Sequence, residues 1–262
     1  MSEKVRSTSD GRVALLELNR PDAMNAIDTD LRRELLASLD QVARDANVGA
    51  LVITGSGKAF CSGSDLKSAA ANPDTSVRRT ARTLLHDFQP ILEIIARLDK
   101  PVIAAVNGAA VGVGMSLVLA CDLVVMAQPA FLLAPFVNVG LIPDGGAAWF
   151  LTQRIGYARA FEMLTEGHKL SAERCLELGI ANRVVESSLL RSEALTWAKS
   201  LAARAPLALA LTKRVARLAS SVGLSEMLTI EAELQTFLAN TDDAREAIAA
   251  FGEKRTPSFL GR

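Results

Sequence analysis

Two glycine-bearing segments set in apolar sequence carry the first chemical signal of this chain: Ala59-Phe60-Cys61-Ser62-Gly63-Ser64-Asp65-Leu66 and Asn107-Gly108-Ala109-Ala110-Val111-Gly112-Val113-Gly114. Each could leave one main-chain N–H free to point at a ligand. Two such donors converging on one carbonyl oxygen would stabilise an enolate.

Other motifs of comparable length fail. Gly55-Ser56-Gly57-Lys58 has the end of a phosphate loop, but Val52 stands where the first glycine belongs and Ala59 where a magnesium-binding hydroxyl belongs. Gly112-Val113-Gly114-Met115-Ser116-Leu117 begins like a dinucleotide fingerprint and lacks its third small residue. No Gly-x-Ser-x-Gly elbow occurs, and the two histidines, His86 and His168, have no paired nucleophile in sequence. Cys61, Cys121 and Cys175 are odd in number and far apart, which fits a reduced protein with neither a disulfide framework nor a metal site.

The elements that must position the two segments follow from periodicity. Arg12 to Leu18 reads as a strand ended by the Asn19-Arg20-Pro21-Asp22 turn. Leu31, Leu35, Leu39 and Val42 recur at helical spacing behind a capping Asp28 or Thr29. Ala50 to Thr54, Val102 to Val106 and Leu123 to Met126 read as buried strands, and Gly112 to Ala120 as a short helix. A long helix carries Leu84, Leu85, Phe88, Ile91, Ile95 and Leu98, with Pro90 placed to kink or split it. Strands alternating with helices predict an α/β core with substantial parallel pairing. Beyond Glu186 only helical signals remain, with apolar residues on more than one face, which predicts packing against other subunits as well as the chain's own core.

The totals bound the function. With 262 residues, half of them hydrophobic, the chain can bury one large core, with or without a small appendage. Lys plus Arg and Asp plus Glu each number 29, so no general field favours nucleic acid or an anionic membrane, and an anionic ligand must be held locally. The polar Met1 to Asp10 segment is no secretory signal, and no apolar run reaches the ~20 residues of a membrane span. The expected location is cytoplasmic.

Five motifs in a fixed order give the chain a resemblance to the crotonase superfamily, also called the enoyl-CoA hydratase/isomerase family, from about Val13 to Phe259. They are Asn19 to Ala26, Ala59 to Leu66, Pro101 to Asp122, Gly140-Leu141-Ile142-Pro143-Asp144-Gly145-Gly146, and Ala250 to Arg255. The resemblance implies an α/β fold, a crotonase-like spiral of β-β-α units with a C-terminal helical oligomerisation region. The expected division is a core over 1–195 holding the acyl-CoA site and a helical trimerisation region over 196–262.

It also implies roles. The N–H groups of Ser64 and Val113 would form an oxyanion hole, with Gly112 and Gly114 allowing close approach at a helix N-terminus. Contacts to coenzyme A would fall on Ala26, Ala59 and the main chain of Asp65 to Lys67, with Lys254 near phosphate, and Asp65 bracing its loop. Ser62, Leu66 and Phe136 complete the implied substrate-binding set. No separate cofactor and no metal is expected, since coenzyme A is part of the substrate. The implied partner is an acyl-CoA thioester, with no nucleic acid and no membrane, and the implied assembly is a homotrimer or a dimer of trimers, in which Phe251 and Lys254 could serve a neighbour's site.

Family hydratases resemble one another in supplying two glutamates; at the matching positions this chain has Ser116 and Phe136, and a phenyl ring is neither acid nor base. Asp144 matches the single carboxylate of several family isomerases. The expected activity is therefore an acyl-CoA isomerase that shifts a double bond from position 3 to position 2, with Asp144 as proton shuttle. Alternatives are an enoyl-CoA hydratase-type lyase, an epoxyphenylacetyl-CoA isomerase, a hydrolase with an Asp nucleophile, and a non-catalytic acyl-CoA-binding module. Pro-Asp-Gly-Gly is also a common turn, in which Asp144 would only cap the helix starting near Gly146.

Overall fold

The computed structural model describes residues 3–65 and 82–262. A six-stranded sheet forms its centre, in the order β1 (Val5–Asp10), β2 (Val13–Leu18), β3 (Ala50–Gly55), β5 (Val102–Val106), β7 (Leu123–Ala127), β10 (Arg183–Val185). β1 and β2 form an antiparallel hairpin, and every later pairing in this sheet is parallel. All residues of β3 and β5 are buried, which is why they read as unbroken apolar runs. β1 was not legible: Val5 alone points inward and the rest of Val-Arg-Ser-Thr-Ser-Asp faces solvent.

A second sheet orders β4 (Ala59–Cys61), β6 (Ala109–Val111), β8 (Phe131–Leu133) and β9 (Leu170–Ser171). β4, β6 and β8 run parallel and β9 antiparallel. The two sheets interleave along the chain. β3 passes to β4, β5 to β6 and β7 to β8, and each pair leads on towards a helix. This is a repeated β-β-α progression, so the expected spiral is present.

Helix α1 (Thr29–Arg44) begins at Asp28, whose carboxylate accepts from the Leu31 N–H at 2.8 Å, and it buries Leu31, Leu35, Leu39 and Val42 as the spacing requires. Thr83–Phe88 is wound as a π-helix and continues as α2 (Gln89–Arg97), so the change of pitch falls one residue before Pro90. α3 (Val113–Ala120) is buried at every position. α4 (Ala147–Ile155), α5 (Tyr157–Glu166) and α6 (Ala172–Glu177) follow.

The helical tail consists of α7 (Leu190–Ala202), α8 (Pro206–Leu218), α9 (Leu224–Ala239) and α10 (Asp242–Glu253). α7 packs on the large sheet through Leu190, Ala194, Ala198 and Ala202, so the expected division at 195/196 falls inside a helix seated on the core. α8 to α10 bury few apolar side chains and leave Leu224, Phe237, Ile248 and Phe251 exposed. Among the described residues no helix is long and apolar enough to cross a membrane.

Candidate functional site

The small sheet collects the two glycine segments. Because β4, β6 and β8 are parallel neighbours, the chain leaves all three at the same edge, where parallel strands of an α/β protein present loops to ligands. β4 exits into Gly63-Ser64, β6 into Gly112-Val113, and β8 into Pro135-Phe136.

Backbone pairing orients the Ser64 amide. Ile27 and Ser64 form an isolated parallel bridge in which the Ile27 N–H donates to the Gly63 carbonyl at 2.8 Å and the Asp65 N–H donates to the Ile27 carbonyl at 3.1 Å. In such a bridge the residues flanking Ser64 face Ile27, so the N–H of Ser64 itself points the opposite way. It meets no acceptor among the described residues. Val113 opens α3, where an N–H has no partner within the helix, and Gly112 provides no side-chain cap. Its N–H is likewise unpaired, with the positive end of α3 behind it.

Two close approaches bring these amides together. Gly63 has φ +96°, and a methyl built on it would stand 2.9 Å from the Val111 carbonyl oxygen and 3.9 Å from the Val113 nitrogen. Gly114 presses its Cα onto β4 so closely that a methyl there would lie 2.3 Å from the Cys61 carbonyl oxygen. Cys61 is fully buried and its thiol is pushed up to about 12 by that burial, which removes it as a nucleophile.

The loop carrying Asp144 is tied to the same helix. The Ser116 hydroxyl donates to the Asp144 carbonyl at 3.2 Å, and that carbonyl also accepts the Ala147 N–H at 3.1 Å. The Asp144 side chain does not cap α4, whose N-cap is Gly146 with no side-chain bond. The carboxylate has no hydrogen-bonding partner among the described residues, and burial raises it above the ordinary aspartate range. Asp144 stands on the wall of a cavity of about 970 Å³, together with Leu84, Phe88, Leu92, Trp149 and Phe150. Of the two amide-bearing residues neither borders this cavity, nor do Gly112 and Phe136. Asp144 and Gly145 on its wall reach Ser116 of α3, one through a hydrogen bond and the other through close contact. Phe136 is buried, with its ring edge 3.9 Å from where a methyl on Gly112 would stand.

The remaining implied contacts divide into three groups. Ala26, Ala59, Ser62 and Asp65 lie together around Arg20 and Asn25. Arg20 donates to the Ala26 carbonyl and pairs with Asp65 at 3.1 Å and Asp28 at 3.3 Å, which ties the Asp65 side chain to the segment before α1. The Asp65 N–H is already used by Ile27, the Ala59 carbonyl accepts from both Asn25 and Asn107, and the Ser62 N–H donates to Met24. Lys254, by contrast, is an exposed, left-handed residue at the end of α10, and the chain does not bring it to this region. Leu66 and Lys67 lie outside the described residues. His86 and His168 are exposed on the surface.

The sequence reading gave no part to Asn25, Asn107 or the Ser116 hydroxyl. Asn25 is fully buried at φ +56° and bonds the Arg20 N–H and the Ser56 and Ala59 carbonyls. Its signal was available: asparagine is the residue that most readily takes a left-handed turn position while bonding nearby main chain. Ser116 was legible as the lone hydroxyl in an otherwise apolar Val113–Ala120 run.

Among the described residues no group of three or more His, Cys, Asp or Glu side chains could hold a metal ion. Among the described residues the arrangement offers two amides without an acceptor, at neighbouring strand exits, and one partly buried carboxylate on a loop bonded to α3, groups of the kinds used when charge builds on an oxygen while a proton moves.

Comparison with known proteins gives the same direction. Residues 8–262 match a family model described as Enoyl-CoA hydratase/isomerase. The chain is 35% identical to a 1,2-epoxyphenylacetyl-CoA isomerase and 37% identical to a 2,3-dehydroadipyl-CoA hydratase, both from Escherichia coli (strain K12), over 100% of either chain in each case. An enoyl-CoA hydratase from Polaromonas sp. JS666 superposes with a TM-score of 0.93 at 38% identity, covering 97% of this chain and 99% of the other. One from Bacillus anthracis gives 0.94 at 32%, covering 99% and 100%.

Proposed function

Since this chain belongs to the enoyl-CoA hydratase/isomerase family, whose members act on acyl-CoA thioesters, we propose that it is an acyl-CoA isomerase moving a double bond from position 3 to position 2. The observation that carries this reading is the partly buried carboxylate of Asp144, without a hydrogen-bonding partner among the described residues, on a loop whose main-chain carbonyl is bonded to the helix that begins at Val113.

In the proposed reaction the thioester oxygen lies between the N–H groups of Ser64 and Val113. Asp144 takes a proton from C2 of a 3-enoyl thioester, and the electron pair delocalises onto the oxygen as a dienolate. The protonated Asp144 then returns that proton to C4, leaving the double bond between C2 and C3. A raised affinity for protons makes Asp144 a stronger base than an exposed aspartate, and the absence of a hydrogen-bonded partner leaves both oxygens free to reach C2 and C4.

Hydration is less well supported by the same residues. It requires one group to activate water and another to deliver a proton, whereas the Ser116 hydroxyl is committed to a carbonyl and Phe136 is buried hydrocarbon. A second reading, ring-opening isomerisation of an aromatic epoxyacyl thioester, draws support from the cavity beside Asp144, where Phe88, Trp149 and Phe150 offer ring surface, Trp149 and Phe150 meeting edge to face at 5.1 Å.

Contacts of Ala26, Ala59, Ser62, Gly112 and Phe136 with the thioester belong to this proposal, as do a homotrimer or dimer of trimers in which Lys254 reaches a neighbour's ligand and a cytoplasmic location. The exposed Phe251 and Ile248 on α10 support the assembly. The deciding assay offers 3-enoyl-CoA, 2-enoyl-CoA and an aryl epoxyacyl-CoA to the purified protein. Turnover of the first without hydration of the second supports the isomerase, and hydration of the second at a comparable rate refutes it.

A further inference from the structure

The first turn of α3 holds more than the Val113 amide. Ser116 lies one turn further along, is fully buried, and is the one hydroxyl in a helix whose other residues are Val, Gly, Met, Leu and Ala. A hydroxyl taken out of water needs a partner. In a helix interior the usual recourse is the carbonyl four residues back, here Gly112, which accepts the Ser116 N–H at 3.1 Å. The hydroxyl instead crosses to the next segment and donates to Asp144.

The fit around that bond is tight. A methyl on Gly145 would stand 2.9 Å from the Ser116 hydroxyl oxygen, 3.0 Å from its Cβ and 3.4 Å from a Leu92 methyl. The main chain at Gly145 therefore lies close against Ser116. From above, the Ala147 N–H grips the same carbonyl. With its carbonyl accepting two hydrogen bonds, the main chain at Asp144 is fixed relative to the helix that also presents Val113, and the side chain starts from that fixed point.

We propose that Ser116 is a positioning residue that sets the Asp144 carboxylate at a fixed offset from the Val113 amide, so that proton transfer and oxygen stabilisation occur on one substrate. The proposal rests on the proton-shuttle reading above. It deepens that reading by giving the hydroxyl a task other than acid or base chemistry.

The test compares wild type, Ser116→Ala and Ser116→Cys, the last keeping volume with a weak donor. Three readouts are taken: steady-state isomerisation of 3-enoyl-CoA, exchange of the C2 proton in deuterated buffer, and the pH profile of kcat. Removing the hydroxyl should lower kcat and the exchange rate about tenfold while KM stays within about twofold, Ser116→Cys should recover part of the loss, and the acid limb of the kcat profile should move. The Asp144 carbonyl keeps its bond from Ala147, so Ser116→Ala is expected to fold. Asp144-dependent isomerisation in the wild type together with an unchanged kcat in both variants, whatever their melting temperatures, overturns the positioning role alone. Absence of 3-enoyl-CoA isomerisation in the wild type, or its persistence in Asp144→Asn, overturns the shuttle and the positioning role with it.

Discussion

Gly63 and Val113 meet across the edge of the small sheet: a methyl on Gly63 would stand 3.9 Å from the Val113 nitrogen and 2.9 Å from the carbonyl oxygen of Val111. The contact joins two segments fifty residues apart in the chain and brings close two residues, Ser64 and Val113, whose amides have no acceptor among the described residues.

Gly63→Ala tests that contact. Its φ of +96° already disfavours any side chain, and the methyl would press on the Val111 carbonyl, so the turn must shift and carry the Ser64 N–H with it. The expected loss is about 100- to 1000-fold in kcat, the usual cost of one oxyanion donor. Steady-state kinetics on folded protein, monitored by circular dichroism, checks it.

Gly114→Ala should act on stability first. The built methyl meets the Cys61 carbonyl at 2.3 Å, main chain against main chain, so α3 must move off β4. A destabilisation of about 1–3 kcal/mol is expected from overpacking of this kind, read as a lower midpoint in urea unfolding.

Asp144→Asn should abolish isomerisation, by at least ~100-fold, while a saturated acyl-CoA still binds, as measured by calorimetry. Burial raises the folded-state pKa of Asp144 above its unfolded value, so kcat/KM should fall as pH drops through that raised value. The stability contribution has the opposite sense. It is fully present below the unfolded pKa and is lost as pH rises through the folded one, because ionising a desolvated carboxyl opposes folding. Asp144→Asn should therefore melt higher than wild type at neutral pH and show a smaller difference in acid. A difference from wild type that is the same at both pH values would contradict the desolvated environment.

Asn25→Ala removes a buried amide that serves the Arg20 N–H and the Ser56 and Ala59 carbonyls. About 3 kcal/mol of stability should be lost, since these groups have no water to turn to. Because Ala26 and Ala59 flank the lost bonds, KM for the thioester should rise more than kcat falls.

Ile248→Ser combined with Phe251→Ser addresses assembly. Both side chains are largely exposed in the single chain, at 75% and 88%. Sedimentation of the wild type as a trimer, with dissociation in the double variant, is the expected result. A wild type that sediments as a monomer at micromolar concentration would remove the trimer proposal.

Periodicity made α1 and the strands β3, β5 and β7 legible, because each buries a continuous face and the apolar pattern records that face. The small sheet escaped. Its strands run two or three residues, shorter than a period can register, and their pairing partners are remote in sequence. The switch between sheets was hidden for the same reason, since β3 and β4 are separated only by a turn that looks like an ordinary hairpin connection.

By itself the sequence determined which groups are present: one glycine at the first strand exit and a pair at the second, one acid in Pro-Asp-Gly-Gly, and serine and phenylalanine where a hydratase would need carboxylates. These follow from residue identity and local backbone preference, which a linear chain expresses directly. Only the tertiary structure decided that the Ser64 N–H turns away from Ile27, that Asp144 is desolvated without capping α4, and that Ser116 clasps its carbonyl. Each depends on which distant segment occupies the neighbouring space, and burial and hydrogen bonding across such contacts exist only once the sheets have closed.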